Sequence, residues 1–216
     1  MSEDVIQIDI ESELRKVIGR LHDLPDQIAA PKLLKNALNS TARKVRKQMV
    51  RDVQGEYAIK KRKVLRDKSE GAPQVLTAST SNLSAAIRSR GPMQDIMTFM
   101  TRPNTATGAA AARVLSSGSL RPLEIHGLKA FVTTFSNGHV AIVQRAPPQR
   151  YSDAKSRSSR VKRYGAKADM TKIRKLLSPS VPHMLDSETV RGQAEELTYE
   201  ILQAEIQKRI DQIHLN

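Results

Sequence analysis

The sequence predicts an α+β fold: an antiparallel β-sheet with a hairpin at 130–145, packed against N-terminal helices and a long C-terminal helix. Three observations carry this. In "AFVTTFSNGHVAIVQR" two alternating apolar–polar runs meet at Asn137-Gly138, the pattern of paired strands joined by a tight turn. Apolar residues recur three and four apart along the early chain, and again from about residue 187 to 214, as helices with one buried face require. With 216 residues, one domain of ordinary size accommodates all of these elements.

From the N-terminus, "VIQIDI" (Val5 to Ile10) alternates as a short strand. From Ser12, Leu14, Val17, Ile18 and Leu21 recur at helical spacing until Pro25, which ends a helix. Pro31 suits a first helical turn. Beyond it Leu34, Leu38, Thr41, Val45 and Met49 form one stripe, while Lys35, Arg43, Lys44, Arg46, Lys47 and Arg51 occupy the remaining faces. Lys60-Lys61-Arg62-Lys63-Val64 has the form of a nuclear-localisation run, although a basic helix face is the reading favoured here. Between Gly71 and Ser119 the chain turns small and polar, with short strands suggested at Leu83 to Ile87, Ile96 to Met100 and Arg113 to Leu115.

In the hairpin, Ala130, Val132 and Thr134 alternate with Phe131, Thr133 and Phe135, and Val140, Ile142 and Gln144 alternate with His139, Ala141 and Val143. Asn137-Gly138 suits the two positive-φ positions of a type I′ turn. Pro147-Pro148 is expected to stop the second strand. The Ser/Arg/Lys-rich run that follows has little to bury, so a mobile basic loop is expected at about 146–170. "IRKLLSPSVPHML" resumes apolar character. The final helix, from about Ser187, carries Val190, Ala194, Leu197 and Ile201 and then Leu202, Ile206, Ile210 and Ile213 as one broad apolar face.

The formal net charge is +14, unevenly distributed. Residues 31–70 carry 13 basic and 4 acidic side chains and residues 121–183 carry 13 and 3, whereas the two ends are acidic. Such segregation suits a polyanion partner, complementary contacts between copies of the chain, or a solvated basic surface. The chain has no cysteine, which removes disulfides, Cys-bound zinc and thiol nucleophiles together and fits a reducing cytosol or a virion assembled there. The acidic N-terminus does not resemble a secretion signal and no apolar run approaches a membrane span. No membrane association is expected.

The chemistry-bearing residues are dispersed. His22, His126, His139, His183 and His214 form no helical metal-binding pair, and His139 reads as a strand residue. Between 71 and 183 the acidic side chains are Asp95, Glu124, Asp153 and Asp169, with no reason in their spacing to pair them. Phosphate-binding glycine loops and nucleophile elbows are missing from the sequence. These observations argue against an enzyme, and no catalytic, cofactor or metal residue is assigned. Sequence-specific nucleic-acid recognition is weakly supported, since Tyr57, Tyr151 and Tyr164 are the aromatics near basic stretches. Non-specific attraction to phosphate remains.

Phe131, Gly138, His139 and Arg145 in the hairpin, then Ser178-Pro179-Ser180-Val181-Pro182 with Met184, give the chain its resemblance to a known family. In these motifs and in its order of elements, including "YAIKKRKV", the chain resembles the minor tail protein Z family of long-tailed bacteriophages and prophages. It departs from that family at Ser178, where a glycine is usual. The resemblance covers most of the chain and implies a structural virion protein. Such a tail-completion protein forms a ring, of six copies, at the head-proximal end of the tail and helps to join heads and position the DNA end. It implies as partners other copies, the tail terminator, the tape measure and the head–tail connector, with assembly in the host cytoplasm. Closed rings use heterologous contacts, which segregated charge can steer.

Lys155, Arg157, Arg160, Lys162 and Arg163 are the candidate contacts to DNA or to an acidic neighbour, with Lys60, Lys61, Arg62 and Lys63 second. The alternatives are a free-standing, non-specific nucleic-acid-binding protein and, behind it, a hydrolase using a carboxylate-bound metal.

Overall fold

The computed structural model describes residues 5–6, 29–66, 69–103 and 109–214. The expected helix from Ser12 to Pro25, and the "VIQIDI" strand beyond Ile6, lie outside the described residues. The helices are α1 (Ala29–Glu56), α2 (Ala154–Tyr164), α3 (Val181–Leu185) and α4 (Glu188–His214). The strands are β1 (Val5–Ile6), β2 (Gln74–Leu76), β3 (Ala86–Arg88), β4 (Met93–Asp95), β5 (Met100–Arg102), β6 (Ala111–Arg113), β7 (Arg121–Pro122), β8 (Glu124–Ile125), β9 (Leu128–Lys129), β10 (Phe131–Thr134), β11 (Val140–Arg150), β12 (Thr171–Lys175) and β13 (Leu177–Ser180). Long helices and antiparallel sheets together make an α+β fold. The chain divides into two compact units, one of Met1–Tyr57, Arg62–Met93 and Pro179–Asn216, the other of Ala58–Lys61 and Gln94–Ser178.

The first unit is built on α1 against α4. The stripe of α1 is buried as its spacing requires: Leu34, Leu38, Thr41, Val45 and Met49, prolonged to Val53. Leu33, Leu34, Ala37, Leu38 and Ala42 share a core with Leu202 and Ile206 of α4 and with Ala78 and Ala85. Truncating Leu38 to alanine there costs about 2–5 kcal/mol. On α4 the buried line runs Val190, Ala194, Thr198, Leu202 and Ile206, with Glu205 beside it. Leu197 and Ile201, expected on the apolar face, lie half-buried at its flank. The α1 side also fixes a loop, because Asn39 Nδ2 donates to the Ala78 carbonyl at 3.1 Å and the Ala78 amide donates to Asn39 Oδ1 at 2.7 Å.

A small sheet of order β1-β3-β2 completes this unit. The strand expected at Leu83 to Ile87 forms as Ala86–Arg88. The basic run at Lys60 to Lys63 is not on an α-helix: Ile59 makes a β-bridge and Arg62–Leu65 is a 3-10 turn. Gly71, at φ +88, and Gly91 approach so closely that a Cβ on Gly91 would lie 2.5 Å from the Gly71 Cα. Next to them, Ser180 caps α3 by accepting from the His183 amide, and Val181, Met184 and Leu185 are fully buried.

The second unit holds the hairpin. β10 pairs with β11 through Phe131↔Val143, Val132↔Ile142, Thr133↔Ala141 and Thr134↔Val140, the register the alternation predicts. Ala130, Val132 and Ile142 join Ile96, Ala110, Ala112 and Leu176 in one core. The turn differs from the expected type I′. Phe135 N donates to His139 O and Gly138 N to Phe135 O, leaving three residues in the loop. Gly138 alone in this loop has positive φ, at +78, the geometry of a type I turn closed by a glycine bulge. The two-residue primed turn occurs instead between β8 and β9, where His126 has φ 53 and Gly127 φ 72. Gln144, fully buried, donates through Nε2 to the Ile125 and Leu128 carbonyls on either side of that turn and accepts from Arg174 at 3.0 Å.

Two further expectations are corrected. Ile96–Thr98 is a 3-10 turn capped by Asp95, and the strand begins at Met100. β11 runs on through Pro147-Pro148 to Arg150. Its pairing with β12 breaks between Arg145 and Arg150, so the prolines sit where the ladder demands no amide donor.

Candidate functional site

The segment expected as a loop at about 146–170 contains the eleven-residue helix α2, which has no buried residue. Local chemistry explains why it forms. Asp153, extended at φ −72 and ψ 141, caps the helix by accepting from the Ser156 amide at 2.7 Å. That hydrogen bond holds the Asp153 carboxyl below its usual range. Gly165, with φ +82, stops the helix, its amide donating to the Val161 carbonyl.

The five candidate cations of α2 fall into two groups with different surroundings. Arg160 places its guanidinium 4.9 Å from the Tyr151 ring centre and 5.4 Å from that of Tyr164, and its Nε donates to the Asp169 carbonyl at 2.9 Å. Arg163 donates to the Thr134 carbonyl at 3.0 Å. These two arginines fasten α2 to the sheet. Lys155, Arg157 and Lys162 are exposed and make no ion pair or side-chain hydrogen bond to a described residue. Lys155, Ser158, Ser159 and Lys162, spaced i, i+3, i+4 and i+7, share one solvent face. The lysines are about 10 Å apart along the axis.

Beneath the helix lies a cleft of about 300 Å³ lined by Phe131, Arg145, Arg160, Tyr164, Lys167 and Asp169, among others. Arg145 holds it together. Its Nε pairs with Asp169 Oδ2 at 3.1 Å, its Nη1 donates to the Thr171 carbonyl at 3.2 Å, and its guanidinium lies 5.3 Å from the Phe131 ring centre. Asp169 is held below its usual range chiefly by the hydrogen bond from the Thr171 amide, with Arg145 and Arg160 adding to it. Arg145 and Lys167 were not among the sequence-based contacts. Arg145 is placed by strand pairing, opposite Ile173, and Lys167 by the turn that follows α2, neither of which composition reveals.

Lys60, Lys61, Arg62 and Lys63 are all exposed. The amides of Lys60 and Lys61 both donate to the Thr98 carbonyl, at 2.8 and 3.1 Å, while Arg62 and Lys63 open the 3-10 turn anchored by buried Leu65. His139 lies on the strand side of its turn, with Lys175 Nζ 3.0 Å and Asp95 Oδ2 3.7 Å from its Nε2 and Phe135 stacked at 6.2 Å. Among the described residues no three histidine or acidic side chains stand close enough together to hold a metal ion, and no helix is long and apolar enough to cross a membrane.

Of the residues that carry the family resemblance, Gly138 supplies the turn, Arg145 braces the cleft, and Ser178 is buried and donates to the Gln94 carbonyl at 3.1 Å. They are framework positions. No family model matches the chain, and no curated protein and no solved structure does so either.

Proposed function

We propose that this chain is a structural virion protein of a long-tailed phage or prophage. In this reading it is a minor tail, tail-completion subunit that forms a homo-oligomeric ring, of six copies, at the head-proximal end of the tail. There it meets the tail terminator, the tape measure and the head–tail connector and helps to position the DNA end. The observation that carries the reading is α2, a helix with no buried residue, fastened by Arg160 and Arg163 so that Lys155 and Lys162 stand free in solvent. In this reading a helix kept ordered by capping and arginine contacts, without core packing, serves as a docking element. The resemblance of the hairpin and of the segment Ser178 to Met184 to the minor tail protein Z family supports the same reading.

Deleting the coding sequence from the phage and imaging the lysate by electron microscopy tests it. Heads and tails that fail to join, with the restored and gold-labelled protein at the head-proximal tail end, are the expected result. Joined, infectious particles in its absence overturn the proposal.

A second reading, a free-standing non-specific nucleic-acid-binding protein, is favoured by the outer face of α2, where two ammonium groups flank two serine hydroxyls, all donors to phosphate. It requires a monomer that binds duplex tightly with a steep loss of affinity as salt rises.

A further inference from the structure

We propose that the outer face of α2 docks on the acidic outer face of α4 of a second copy of this chain. On α4, Glu188, Glu196 and Glu200 are exposed and make no ion pair or side-chain hydrogen bond to a described residue. The neighbouring acids are already satisfied, since Arg191 pairs with Asp186 at 3.2 Å and with Glu195 at 2.9 Å. Glu196 and Glu200 stand one turn apart, with Tyr199, 41% exposed, between them. On α2, Lys155 and Lys162 lie two turns apart with Val161, 40% exposed, next to Lys162. An exposed apolar side chain thus flanks each set of unpaired charges, and the two sets are opposite in sign. Complementary charge of this kind steers the encounter of two faces and fixes their register.

Each copy presents one cationic face and one acidic face, so the contact is heterologous. It propagates head to tail and closes when the rotation between copies permits. The proposal rests on the ring reading given above and adds its contact residues. Its ion pairs are solvent-exposed, so the association weakens as salt screens them.

Sedimentation velocity on the full chain, across protein concentration and sodium chloride, provides the test. The wild type is expected to associate at low salt and to dissociate as salt rises. Lys155→Glu with Lys162→Glu, and separately Glu196→Lys with Glu200→Lys, each weaken association about tenfold or more. Combining all four changes in one chain restores it. So does mixing the two double variants, because each then offers the face that the other lacks. Circular dichroism confirms that the variants are folded.

Several results overturn the proposal: a wild type that stays monomeric at low salt, reversals without effect, losses that neither combination restores, or an effect independent of concentration, which marks a contact within one chain. Loss of duplex binding in place of self-association assigns α2 to nucleic acid. Failure here leaves the tail reading to be judged by tail imaging, whereas head–tail joining without the protein removes the tail reading even if the copies associate.

Discussion

The Arg160 guanidinium lies 4.9 Å from the centre of the Tyr151 ring, and this stack, more than any buried side chain, positions the cationic helix α2. A partly desolvated cation–π contact contributes about 1–2 kcal/mol, and the Nε hydrogen bond to the Asp169 carbonyl adds a second anchor. Arg160→Ala is therefore expected to open residues 154–164 by about 2 kcal/mol. Amide hydrogen exchange reads this as accelerated exchange confined to α2. Lys155→Ala with Lys162→Ala leaves the same amides unchanged, because those lysines make no ion pair or side-chain hydrogen bond to a described residue.

What the sequence made legible divides along physical lines. The stripes of α1 and α4 and the alternation of β10 and β11 are local periodicities, and burial follows them through Leu38, Met49, Val190 and Ile142. Helix α2 has no such stripe. It exists because Asp153 caps it, Tyr164 one turn on receives Arg160, and Tyr151 and the Asp169 and Thr134 carbonyls receive Arg160 and Arg163, the last three being partners that only the tertiary structure supplies. The charges of the candidate site were visible in composition, but their division into the anchoring Arg160 and Arg163 and the solvent-facing Lys155, Arg157 and Lys162 needed the tertiary contacts. Length alone suits one domain or two small ones, and the boundaries of the two units are hidden because each is assembled from segments separated by the other. On α4 the buried line passes through Thr198, whose hydroxyl donates to the Ala194 carbonyl, a polar residue that an apolar pattern overlooks.

The turns separate two kinds of glycine requirement. At φ +78 and with open space around it, Gly138 is needed for its backbone alone, so Gly138→Ala costs about 1 kcal/mol. Asn137→Ala is expected to cost less, since Asn137 does not adopt positive φ and loses only the bond from the His139 amide at 3.1 Å. His126 is a non-glycine residue at φ 53, and His126→Asn is predicted to be neutral or slightly stabilising, because asparagine tolerates that region best. Thermal unfolding of the three variants checks this order.

Close approach makes a harsher demand. A Cβ on Gly91 would lie 2.5 Å from the Cα and 2.8 Å from the amide nitrogen of Gly71, backbone that cannot rotate away. Gly91→Ala is expected to destabilise the chain by about 3 kcal/mol or more. A Cβ on Gly192 in α4 would meet nothing within 4 Å, and Gly192→Ala instead gains about 0.5–1 kcal/mol from helix propensity. Denaturant unfolding of the pair checks the opposite signs.

Glu205, buried on α4, sets an acid limit on the α1–α4 packing. Burial pushes its carboxyl up, but hydrogen bonds from Lys44, Arg209 and Ser40 outweigh burial and bring it down to about 2 from an ordinary 4.5. The folded state therefore takes up this proton less readily than the unfolded state does. The resulting stabilisation is complete above pH 4.5 and is lost as the pH falls from 4.5 towards 2. A difference of that size corresponds to about 3 kcal/mol at most. Glu205→Gln should cost about 2–3 kcal/mol at pH 7, because Lys44 and Arg209 lose their shared carboxylate while keeping access to water. Below pH 4.5 the variant and wild type should converge. Melting temperatures measured from pH 7 to pH 2 test both statements, and parallel acid limbs for the two proteins would assign the acid limit to other carboxylates.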